Sequence, residues 1–215
     1  MLLLVLLALA LAFFIILIEL RVLSYAYRKI GVRPRYVFLI LLLTLIGSHV
    51  NLPLYAVPAS RLVAPLPNWR YERPFAMPHI AQAGRTIVAI NVGGALIPAL
   101  LSLYLFLTLG MPGRMLIGTA MVAVVVNQLA DIVPGSGIAV PMFIPPLLAA
   151  GVALVLAFRR APPVAYVAGT MGTLIGADLM NLGRVTEMGA PVLSIGGAGT
   201  FDGVFLTGIL AGLLA

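Results

Sequence analysis

The 215 residues are 62% hydrophobic and only 9% charged, with a formal net charge of +7. Soluble domains carry about 25% charged residues, so this chain lacks the polar surface that keeps a globule dispersed in water. The same scarcity excludes a soluble nucleic-acid binder, which would present Lys/Arg stripes on a water-soluble domain.

A membrane-crossing helix needs about 20 mostly apolar residues, and seven stretches come near that length: Leu2–Ile18, Tyr36–Tyr55, Ile87–Leu109, Met115–Val133, Ile138–Phe158, Val164–Leu182 and a last one within Leu193–Ala215. Backbone groups in lipid must be satisfied internally, which favours helices over isolated strands. The expectation is an all-α, polytopic transmembrane helix bundle of about seven spans with Gly/Pro-broken segments, forming a single integral membrane domain over 1–215. Met1–Ile18 has no basic start and no small-residue cleavage site, so it reads as a retained first helix. Glu19 is expected to cap it beside Arg21.

Between these stretches, Arg21, Arg28, Lys29, Arg33, Arg35, Arg114, Arg159 and Arg160 fall on one side of a seven-span topology. Arg61, Arg70, Arg73, Arg85 and Arg184 fall on the other. Basic short loops stay inside, which predicts a cell-membrane protein with its N-terminus out and its C-terminus in. The Pro-rich segment 58–86, with Trp69, Tyr71 and Phe75, is expected as an outer loop or interfacial segment.

With no Cys, disulfides, thiolate metal centres and cysteine nucleophiles are excluded. His49 and His79 cannot by themselves make a zinc site, and neither a metal nor a cofactor is expected. What remains is a set of polar groups inside apolar sequence: His49 and Asn51, Asn91, Asn127 and Asp131, Asp178 and Asn181, and Asp202. On alternating helices all of them fall at one end of the bundle. Acids inside a membrane segment are costly and face a cavity or a partner. Asn127 and Asp131 are spaced i,i+4, and Asp178 and Asn181 i,i+3, so each carboxylate has an amide neighbour on its own helix face.

Glycine marks the same end. The run GAPVLSIGGAGTFDGVF leads through Gly196, Gly197 and Gly199 to Asp202, and such breaks expose the N–H groups of a helix start. Broken helices of this kind hold substrates or ions in transporters. Small-xxx-small pairs at Gly172/Gly176, Gly199/Gly203 and Gly208/Gly212 are expected to pack the sixth and seventh helices together, which would bring Asp178 near Asp202.

Two functions follow. The first is binding or transport of a cation or small solute in an outward-facing pocket lined by Asp131, Asp178, Asp202, Asn181, Asn127, Asn91, Asn51 and His49, with a homodimer possible because one copy is small. The second is an intramembrane hydrolase in which Asp178 and Asp202 share a proton and activate water. That pattern loosely resembles the GxGD-type intramembrane aspartyl proteases, with Pro98-Ala99-Leu100 similar to their PAL element. Here, however, no Gly-x-Gly-Asp string occurs, and the triplet precedes both aspartates. A non-catalytic structural role is the third reading. A resemblance that covers most of the chain is carried by NVGGALIPA, GTLIGADLMNL and SIGGAGTFDGVFLTGILA. These segments look like those of an uncharacterised prokaryotic family of small multi-pass membrane proteins, a domain of unknown function. The resemblance implies a multi-pass protein and implies no activity.

Overall fold

The computed structural model describes residues 2–58, 85–133, 135, 137–197 and 203–215, with side chains from residue 11 onward. Most of segment 58–86, and with it Trp69 and His79, lies outside the described residues, as does Asp202.

Helix α1 runs over Leu2–Ile30, about 43 Å at 1.5 Å per residue. It passes through Glu19 and Arg21, so Glu19 does not cap its end. Arg28 and Lys29 occupy its last turn, where cations oppose the negative end of the helix dipole. The stop is a Schellman turn: Val32 N–H donates to Tyr27 O and Gly31 N–H to Arg28 O. Gly31 supplies the left-handed φ of 108° that this turn needs. Arg33 is extended ahead of a proline, as pre-proline sterics require, and Pro34 opens α2 (Pro34–Gly47). Helices α3 (Ile97–Thr108), α4 (Pro112–Leu129), α5 (Ile144–Ala157) and α6 (Ala161–Thr173) also begin with proline in the first turn, where its missing N–H costs nothing.

The count of seven spans is overturned. Among the described residues two helical stretches, Pro112–Leu129 and Ile144–Met188, are long and apolar enough to cross a membrane. A third is reached if Leu11–Ile30 and Pro34–Gly47, bent by 119°, count as one. The physical reason is that the polar ends of the apolar runs are strands. Asn51–Pro58 is β1, Arg85–Asn91 is β2 and Val192–Ile195 is β5. They form one sheet in the order β1-β2-β5, with β1 antiparallel to β2 and β5 parallel to it. Pro58 and Arg85, which bracket residues 59–84, are register partners. A second pair, β3 (Asp131–Val133) and β4 (Gly137–Ala139), follows α4. Taking the apolar runs as continuous helices therefore extended α2, α3, α4 and α5 past their true ends.

Helix α6 is the hub. Its residues are buried on nearly every face, and it packs against α3, α4, α5 and, beyond the short α7 (Val185–Met188), α8 (Gly203–Leu214). Of the small-residue pairs, Gly172/Gly176 has a different partner from that expected. A side chain at Gly172 would meet Val122 of α4, and one at Gly176 the backbone of Ala123. Gly208 lies against Tyr166 and Thr170 of α6, and Gly212 against Ile30 of α1. Helices α6 and α8 do pack together, but Gly172/Gly176 serves the α4 contact. Leu11, Phe13, Phe14 and Ile18 on α1, Phe38 and Ile46 on α2, and Leu107 and Val155 are exposed. Soluble monomers rarely present apolar surface on this scale.

The bundle is polarised. At the end away from the main sheet, Gly31 lies against Leu109, Lys29 Nζ donates to Leu213 O at 2.8 Å, and Arg114 and Arg160 line one cavity. The turns joining α1 to α2, α3 to α4 and α5 to α6 thus gather there with the end of α8.

Candidate functional site

At the sheet end, two helices are interrupted by wider π turns, Val92–Leu96 ahead of α3 and Leu174–Asp178 after α6. Such turns leave backbone groups without their usual partners and often mark functional positions. Here asparagines satisfy them.

Asn91 is fully buried and sits at the last position of β2. Its Oδ1 accepts the Gly94 N–H at 2.7 Å and so caps the first π turn. Its Nδ2 donates to Ser48 O at 2.8 Å and to Asn51 Oδ1 at 3.1 Å. Ser194 Oγ on β5 donates to the same Asn51 oxygen at 2.5 Å. One amide thus ties the end of α2 and the strands to the start of α3.

The second π turn exposes the Gly176 carbonyl, which accepts from both Asn127 Nδ2 and Asn181 Nδ2 at 3.1 Å. Asn181 also donates to Ala177 O at 3.0 Å. This corrects the expected pairing of each carboxylate with an amide on its own helix face. Both amides serve the broken backbone. The chain has left the helix before Asp131, which is exposed on β3 opposite Ala139, so it shares no helix face with Asn127.

Asp178 closes the second π turn. Its Oδ2 accepts the Gly196 N–H at 2.7 Å. The Gly196 carbonyl lies against Gly94 of the first π turn, and a side chain at Gly196 would collide with Ala95. With φ of 80°, Gly196 takes a conformation that other residues rarely adopt. The Gly196 peptide therefore joins the two helix interruptions. Beside it is a cavity of about 20 Å³, with room for about one water. Asp178, Asn181 and Ser194 provide its polar wall, and Val88, Ile138 and Leu193 are among its apolar residues.

Of the sequence candidates, Asn51 and Asn91 meet directly, and Asn127 and Asn181 meet on one carbonyl. Asp178 shares its cavity with Asn181. His49 is exposed just past α2. Ser48 and Ser194 belong to these clusters without having stood among the sequence candidates, whereas Gly196 sits in the glycine run that the sequence singled out. For Ser194 the available signal was a lone hydroxyl in a short apolar run, VLSI, directly ahead of the glycines. Deeper in the bundle, Tyr27 and Tyr166 are each 1% exposed and face Thr44 and Thr170. Neither threonine Oγ1 reaches strict hydrogen-bond geometry. This hydroxyl cluster was also missed, because single Tyr and Thr residues in an apolar helix carry no spacing signal.

Residues 45–214 match a family described as a protein of unknown function, DUF1614. The chain belongs to this family. The match begins within α2 and takes in both π turns, the sheet and the Gly196 loop. No curated protein matches the chain, and neither does any solved structure.

Proposed function

We propose that this DUF1614 chain is an integral membrane protein that binds, and passes, a proton or small cation at Asp178. The observation that carries the reading is the Asp178 carboxylate at a helix interruption, beside a cavity of about one water's size. Interrupted helices with an acid and freed backbone groups suit ion coordination, and acids within apolar helices commonly mark ion or proton paths. The cavity size favours a proton or bare cation over a larger solute. Asn127 and Asn181 hold the interrupted backbone. A cation would draw on Asp178 and on carbonyls of the same turn, Gly176 and Ala177.

The polarity of the bundle supports an orientation. The basic turns at the α1–α2, α3–α4 and α5–α6 junctions suit the cytoplasmic face. That puts the Asp178 end and the start of α1 outside, and the end of α8 inside. The test is cation-dependent melting of the purified protein in detergent, comparing sodium, potassium and magnesium, together with a pH series. Stabilisation by one of these ions, or by protons, that is lost in Asp178→Asn supports the reading. Melting indifferent to all of them overturns it.

A further inference from the structure

Arg114 and Arg160 line an open cavity of about 440 Å³ with Gly110, Met111, Pro112 and Gly113, at the end of the bundle opposite Asp178. Both guanidinium groups are exposed, and among the described residues neither has a hydrogen-bond or ion-pair partner. Of the described acids, Asp131, Asp178 and Glu187 lie on elements at the other end, and Glu19 is well inside α1. Two cations that share a cavity repel each other, and an anion between them removes that cost. Phosphate accepts two parallel N–H bonds from each guanidinium it meets. The surroundings say where such a phosphate comes from. Leu107, Leu116 and Phe158, each within a few residues of the cavity, are exposed at 71%, 59% and 79%. The arginines thus stand at the border between apolar outer surface and polar turns, which is headgroup level.

We propose that Arg114 and Arg160 bind the phosphate of an anionic membrane lipid. The site rests on the membrane reading above but not on any role of Asp178. Native mass spectrometry of the full chain in nonionic detergent tests it, with phosphatidylglycerol, phosphatidylcholine or inorganic phosphate added. Phosphatidylglycerol is retained in preference to phosphatidylcholine. Arg114→Gln and Arg160→Gln each weaken that retention about 5-fold, and the double variant about 25-fold. Arg160→Lys, which keeps the charge but loses the planar fork, falls between wild type and Arg160→Gln. Arg184→Gln, at the far end, binds like wild type. Equal retention of the two lipids, or phosphatidylglycerol binding that survives the double variant, overturns the proposal. So does inorganic phosphate that binds the two arginines as tightly as the lipid does. Phosphatidylglycerol retention by Asp178→Asn equal to wild type, whatever its ion-dependent melting, separates failure at one site from failure at the other.

Discussion

The Asp178 carboxylate accepts the backbone N–H of Gly196 at 2.7 Å, across 18 residues of sequence. This bond joins the interrupted end of α6 to the glycine turn ahead of α8. Because the Gly196 carbonyl lies against Gly94, it also joins both to the start of α3. Three breaks in regular structure therefore share one peptide.

Gly196 is accordingly expected to accept no side chain. Gly196→Ala adds a left-handed strain of about 1–2 kcal/mol to a collision with Ala95, and its melting temperature in detergent falls clearly. Gly183→Ala, at a position with nothing within 4 Å and no positive φ, melts within about 0.5 kcal/mol of wild type. Equal melting of the two variants would contradict the clamp.

Asn91→Ala removes three hydrogen bonds at a fully buried position. The loss is about 3 kcal/mol, because the Gly94 N–H and the Ser48 carbonyl are left without this partner. Asn91→Asp keeps the cap on Gly94 but not the two donated bonds. Its second oxygen then faces the Ser48 and Asn51 acceptors as a buried carboxylate, so it should melt no higher than the alanine variant.

Asn127 and Asn181 share the Gly176 carbonyl, so their effects are not additive. Each single alanine variant leaves that oxygen one donor and costs about 1 kcal/mol. The double variant orphans a buried carbonyl and costs more than the sum. A double-mutant cycle on melting checks this, and strict additivity would show that the two amides act independently.

Lys29 binds the Leu213 carbonyl in the last turn of α8, where a cation also opposes the helix dipole. Lys29→Met is expected to cost about 1 kcal/mol and to loosen the end of α8, with faster amide exchange near Leu214 as the readout. Unchanged exchange there would mean that the contact contributes nothing.

The sequence made the apolar helices and the gathering of amides at one end legible, because long uncharged runs and rare polar residues inside them stand out. It hid the sheet. Segments such as TIVAIN and VLSI are short apolar runs that periodicity cannot assign to strand or helix, and each adjoined enough apolar sequence to fill a membrane-length helix. It also hid the division of labour among the amides. Spacing showed that Asn181 could reach Asp178 on its own turn. Only the widened turn at Leu174–Asp178 explains why the amide binds Gly176 and Ala177 instead. The link from Asp178 to Gly196 joins two breaks in helical structure, and no periodic pattern encodes such a contact.

The proposed ion path runs through the Asp178 charge. Asp178→Asn keeps an oxygen able to accept the Gly196 N–H and removes the charge, so the fold should survive. The decisive measurement is ion flux into proteoliposomes under an imposed gradient, comparing wild type with Asp178→Asn at matched, correctly folded protein. Wild type is expected to show proton or cation flux that falls at least about tenfold in the variant, the effect of about 1.4 kcal/mol or more. Wild-type flux indistinguishable from empty liposomes, or an Asp178→Asn flux equal to wild type, would contradict it.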